Sequence, residues 1–225
     1  MKMCTEIPRQ QGFTLIEMIG VLAVIAILAA LILPKVFDVM AESKVNVLVT
    51  AVKTYEKAVA RYYADIGSIL PLDVDGIPKK QVNGDSTNPE SLPARLTLSA
   101  SDPLVLTTGL WPKFRGPYLE KFDKKQPPGF GTDIRMSADT AVNYGTTVTD
   151  KNRGWDLRGD DGRSDFPTGS HVVFIKLKSV NRSNFLLLDS IIDSDIGATE
   201  SERYLRGRAK FEASKDTLRL YLAHR

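Results

Sequence analysis

One carboxylate sits where a carboxylate is costly. Glu17 is the only ionisable residue in the 21 residues from Phe13 to Leu33 of this 225-residue chain. A charge at the centre of a membrane helix costs about 2.5–3.5 kcal/mol on insertion scales unless it is paired or reaches the interface. Glu17 therefore calls for a specific positive partner, or for snorkelling to the nearer surface. A second set of oxygens lies far along the chain, where Asp156, Asp160, Asp161 and Asp165 surround glycines, with Asp189, Asp193 and Asp195 beyond. Calcium takes about six to eight oxygens from carboxylates and carbonyls on a flexible loop, and Asp160, Asp161 and Asp165 make the better set for it. The spacing departs from an EF-hand, since Leu157 and Gly159 fall where oxygens belong, and Arg158 and Arg163 offer ordinary ion pairs instead. Catalysis has little to work with. His171 and His224 are the only histidines, Cys4 the only cysteine, and neither a Gly-rich phosphate loop nor a serine elbow occurs, so no enzyme is expected.

The element that must position Glu17 is a helix. At 1.5 Å per residue, Phe13 to Leu33 covers about 30 Å, one hydrocarbon thickness. A cleaved secretory signal has an apolar region of only about 7–15 residues and a small-x-small site, whereas this run ends in Leu31-Ile32-Leu33-Pro34-Lys35. A lipoprotein would need a cysteine after the run, and Cys4 precedes it. A plain single-pass anchor also accounts for the length. Lys2 and Arg9 ahead of the span place the short leader on the cytoplasmic side and the bulk of the chain outside; Glu6 weighs little in this rule, and Lys35 opposes it mildly.

The stretch Gly12-Phe13-Thr14-Leu15-Ile16-Glu17, followed by the apolar run and Pro34, resembles the N-terminal signature of type IV pilins and of the pseudopilins of type II secretion. The resemblance implies cleavage between Gly12 and Phe13 by a prepilin peptidase, N-methylation of Phe13, and Glu17 as the glutamate at the fifth mature position. Pro34 then stands where the family often carries a helix-bending proline. It further implies that the new amine of Phe13 meets Glu17 of a neighbouring copy, so that each subunit satisfies the next one's charge. Partners implied are copies of itself or other pilin-like subunits, an inner-membrane assembly platform and the membrane. Major pseudopilins bind calcium in a C-terminal loop, which adds to the interest of the aspartates. The lone cysteine belongs to the leader, so the mature chain forms no disulfide, a pattern closer to pseudopilins than to pilins that brace a C-terminal loop.

Residues 1–12 thus read as leader, 13–34 as transmembrane helix, 35–66 as its amphipathic extension and 67–225 as one exterior α+β domain. Val45, Leu48, Val52, Tyr55, Val59 and Tyr62 recur at spacings of three and four, a stripe expected to pack on the protein's own sheet rather than in a coiled coil. Gly67 is the expected C-cap. Leu70 to Pro93 reads as surface loop, Leu92 to Leu110 as a helix or two, and Trp111 and Tyr118 as packing residues around Gly116-Pro117-Tyr118-Leu119. His171–Lys178 is an expected strand, Ser183 the expected cap of a helix through Ile192, and Arg203–Arg206 with Lys210–Glu212 one strand broken by Gly207. Ala213–Asp216 turns into a last strand, Thr217–Leu222. The fold expected is a long helix laid on a small C-terminal antiparallel sheet, the pilin architecture.

The formal net charge is +3, and about +2 for the mature side chains, too balanced to point to nucleic acid. Arg203, Arg206, Arg208 and Lys210 interleave with Glu202 and Glu212 and read as a solvated strand face. The function expected is a structural subunit of a type IV pilus or a type II secretion pseudopilus. The alternative is a membrane-anchored periplasmic or filament-tip module that binds a ligand or DNA.

Overall fold

The computed structural model describes residues 12–79, 88–103, 105, 111, 113–122, 130–140, 154–160, 164–167 and 170–225. Helix α1 runs from Leu15 to Ile66 and contains Pro34. The chain divides into two compact units, Met1–Ala41 and Glu42–Arg225. In the first, every described residue through Met40 is exposed, including Leu15 at 78% and Leu31 at 69%. This part of α1 is long and apolar enough to cross a membrane. An apolar surface of that extent marks a membrane or protein contact.

In the second unit α1 buries the stripe read from the sequence, Val45, Leu48, Val52, Tyr55, Val59 and Tyr62, with Ala58 added between them. Its last turn closes as expected. Gly67 takes φ +77° and its N–H donates to Tyr63 O at 2.8 Å, the left-handed cap that glycine adopts without steric cost.

The stretch after Gly67 corrects the reading of surface loop. Ile69, Leu70 and Leu72 are buried, because their backbone groups find side-chain partners. The Tyr62 hydroxyl donates to Leu70 O at 3.0 Å and accepts from Leu72 N at 3.1 Å, while Arg95 Nε donates to Leu72 O at 2.7 Å. A buried loop is tolerable only with such satisfaction. Tyr62→Phe is expected to lower stability by about 1–3 kcal/mol, because it strands Leu70 O and Leu72 N inside the core. Urea unfolding followed by circular dichroism would read that loss.

Helix α2 (Leu92–Thr97) is capped by Ser91, whose side chain accepts from Ala94 N. Trp111 is buried with the Arg95 guanidinium 4.6 Å over its ring. Tyr118 meets Tyr62 edge-on at 5.6 Å and its hydroxyl donates to Asp65 at 2.8 Å.

The sheet contains β1 (Asp133–Thr140), β2 (His171–Lys178), β3 (Ala209–Glu212) and β4 (Thr217–His224). All neighbours are antiparallel, in the order β1-β2-β4-β3. Alternate residues Ile134, Met136, Val173, Ile175, Leu177, Leu218 and Leu220 join the α1 stripe in one core. A smaller cluster, Trp155, Phe166 and Val172, lies with Phe174 and Tyr221 on the other face. Ala213–Lys215 forms a 3-10 turn that makes the expected β3–β4 reversal.

Two expectations change. Helix α3 spans Arg182–Ile192 and its cap is Asn181, which accepts from Asn184 N, rather than Ser183. Arg203–Arg206 is no strand: α4 (Glu200–Arg203) ends at its first residue and the rest is turn, and the helix is started by a Thr199–Glu202 capping box in which each side chain accepts from the other residue's backbone amide. Strand β3 begins only at Ala209, beyond Gly207.

Candidate functional site at the start of the apolar helix

Gly12 and Phe13 precede α1 without regular structure, both exposed, with nothing within 4 Å of where a Cβ on Gly12 would stand. Thr14 and Glu17 then form a reciprocal pair. Thr14 N donates to Glu17 Oε2 at 2.8 Å, the Thr14 hydroxyl donates to the same oxygen at 2.8 Å, and Glu17 N donates to Thr14 Oγ1 at 3.3 Å. This is a capping box, which fixes the first turn by satisfying amides that have no intrahelical acceptor. It gives Glu17 a local role that the sequence reading missed, although Thr-x-x-Glu ahead of an apolar run is its legible signal. The carboxylate also lies at the positive end of the helix dipole, which favours its charge. Glu17 is thus held at the helix start, four residues from Phe13.

Asp156, Asp165, Asp189 and Asp193 are put to structural use. Asp165 accepts from Leu157 N at 2.7 Å and Arg158 N at 3.1 Å, with Arg158 Nε at 3.5 Å from its other oxygen. Asp160 is exposed, and Asp161 lies outside the described residues. Asp156 is fully buried, accepts from Gly159 N at 2.7 Å and faces Arg206 Nε at 3.6 Å. Among the described residues no three His, Cys, Asp or Glu side chains gather as a metal site.

Asp189 and Asp193 secure the end of α3 from inside. Asp189 pairs with Arg203 Nε at 2.6 Å. Asp193 accepts from Arg208 N and Ala209 N, each at 2.8 Å. A Cβ on Gly207, where φ is +79°, would stand 2.5 Å from the Asp193 carboxylate, so only glycine lets the chain pass. Burial pushes the Asp193 carboxyl up to about 6, against the pull of the two amides and with the help of nearby Asp189. Between about pH 4 and 6 the folded chain therefore holds a proton that the unfolded chain has released, so this group's contribution to stability falls as pH rises through that window and is flat above it. Asp193→Asn keeps an acceptor for both amides and removes that dependence. Its stability relative to wild type is expected to rise by on the order of 2 kcal/mol from pH 4 to pH 7, read from urea unfolding across a pH series.

The basic residues read as a solvated strand face are instead paired with the fold. Arg203 holds Asp189 and donates to Leu186 O at 3.1 Å, Arg206 meets Glu202 at 3.3 Å, Arg208 pairs with Glu56 on α1, and Lys210 is 1% exposed and bonded to Gly154 O.

Comparison with known proteins adds two findings. A family model described as the prokaryotic N-terminal methylation motif matches residues 7–33. The chain is also 32% identical over 132 residues to fimbrial protein EcpC of Eikenella corrodens, an alignment covering 58% of this chain and 85% of that protein. No solved structure matches.

Proposed function

Because the chain belongs to the type IV pilin-like family, we propose that it is cut after Gly12, held in the inner membrane by the first part of α1, and drawn by an assembly platform into a pilus or pseudopilus. Membership implies a structural subunit that assembles with other pilin subunits after prepilin-peptidase processing. The observation that carries the finer reading is the exposed Gly12-Phe13 junction directly ahead of a capped helix start bearing Glu17. Removal of residues 1–12 creates a positive amine on Phe13. A neighbouring copy displaced along its helix by about one turn, about 5.4 Å, brings that amine to Glu17, and the two buried charges neutralise each other where either alone is costly. The match to a protein named fimbrial favours a pilus over a pseudopilus.

The open geometry at Gly12 supports an extended approach to a peptidase. Gly12→Val should leave residues 1–12 attached in essentially all of the chain, read as intact mass of membrane-extracted protein. Unchanged processing of that variant would put the cut elsewhere.

A further inference from the structure

Arg61 and Asp65 lie one turn apart on α1, a spacing at which opposite charges ordinarily close an ion pair, yet these two form none among the described residues. The Asp65 carboxylate is engaged from another element. The Tyr118 hydroxyl donates to its Oδ2 at 2.8 Å and accepts from Arg115 N at 2.9 Å. Burial pushes the Tyr118 phenol up to about 12, so this donor keeps its proton at physiological pH. Its ring is fixed as well, edge-on to Tyr62 at 5.6 Å and to Phe114 at 5.3 Å.

The result is a concavity with charged walls. Arg61, Ala64 and Asp65 of α1 and Arg115, Pro117 and Tyr118 of the facing segment line a groove of about 260 Å³. Both arginines are exposed, and among the described residues neither guanidinium has an ion pair or hydrogen-bond partner, nor does Oδ1 of Asp65. Single exposed arginines are ordinary. Two of them converging on one groove with an open carboxylate oxygen make a pattern of charge that the fold itself does not use.

We propose that this groove binds a free acidic α-amino acid, with its two carboxylates on Arg61 and Arg115 and its ammonium on Asp65. The planar fork of arginine matches the two oxygens of a carboxylate, so two forks call for two carboxylates. Asp65 repels a ligand whose charges are all negative and accepts hydrogen bonds from an ammonium, so the three ligand charges are answered one for one. The volume is below the roughly 300–1,000 Å³ of drug-sized sites, which suits a small metabolite, and Pro117 offers an apolar wall to its methylenes. The hydroxyl and ring contacts that hold Tyr118 and Asp65 arrange the groove before the ligand arrives, which lowers the cost of binding.

The test is thermal unfolding of the full chain in nonionic detergent, followed by tryptophan fluorescence, with L-glutamate added at constant ionic strength. The expected result is a saturable rise in the midpoint, from which the dissociation constant follows. N-acetyl-L-glutamate, which lacks the ammonium, and L-glutamine, which lacks one carboxylate, should each bind at least about tenfold more weakly, as for a lost charged hydrogen bond. Arg61→Gln and Arg115→Gln should weaken L-glutamate binding by as much and leave the ligand-free midpoint in place, since both side chains are exposed. Lys44→Gln, about 25 Å away along α1, should change neither. A midpoint that ignores L-glutamate, or that responds alike in the Arg61, Arg115 and Lys44 variants, overturns the proposal. So does N-acetyl-L-glutamate acting as strongly as L-glutamate, which would make the groove a site for anions of any kind.

Discussion

A chain carrying Glu17→Gln is expected to insert into the membrane, to keep its first helical turn and to be missing from filaments. Glutamine serves the capping box as glutamate does, so its amide oxygen can still accept from Thr14 N, which now bonds Glu17 at 2.8 Å. Insertion becomes easier, since no charge has to be hidden. On the pairing proposed above, the substitution removes the negative charge that answers the amine of Phe13 on the next copy. With one partner gone, that amine is left buried and unpaired among apolar helices, a loss of about 3–5 kcal/mol per contact, which recurs at every addition to the filament. Filament yield should fall by at least about a hundredfold at that cost, while the membrane pool of processed subunit stays normal. Glu17→Ala removes cap and charge together and cannot separate the two roles. Wild-type filament yield from the Glu17→Gln chain would show that the glutamate acts as a cap and that the charge pairing is wrong.

Phe185→Ala is expected to cost about 3–5 kcal/mol, as truncation of a buried aromatic does, against a total of about 5–15 kcal/mol for a typical domain. Phe185 is fully buried. It stacks on Phe211 of β3 with centroids 4.8 Å apart and planes 12° from parallel, and meets Tyr204 edge-on at 5.4 Å, while Tyr204 and Phe211 meet at 5.4 Å. These three rings join α3, the turn after α4 and the sheet's edge strand, so the cavity lies where neighbouring elements have little freedom to collapse. The midpoint of thermal unfolding should drop by roughly 6–20 °C. Leu186→Ala, half-buried on the same helix, should cost much less. Equal losses from the two would mean that the ring cluster does not carry the packing of α3.

The helix and its buried stripe were legible because period and length agreed over many turns: six of the buried α1 positions are the bulky residues at spacings of three and four. Strand β1 was not, since Asp133-Ile134-Arg135-Met136-Ser137-Ala138 alternates correctly but is built from weak strand formers. Arg203–Arg206 looked like strand because its polar and apolar residues alternate over too few positions to separate the two periods; Thr199-x-x-Glu202 upstream was the stronger signal. Asn181 and Ser183 are both good caps two residues apart, and only the backbone chose between them. At the candidate site the long apolar helix was readable from its length and composition. The local partner of Glu17 is legible as Thr14-x-x-Glu17, but the cost of a carboxylate in a membrane points first to a distant one.

The most direct measurement is the intact mass of the chain in filaments sheared from cells, beside that of the membrane pool, with and without prepilin peptidase. The account predicts filament-borne chain lacking residues 1–12 and heavier by one methyl group, and, without the peptidase, a full-length chain confined to the membrane. Full-length chain in both strains, absent from any sheared filament, would contradict it.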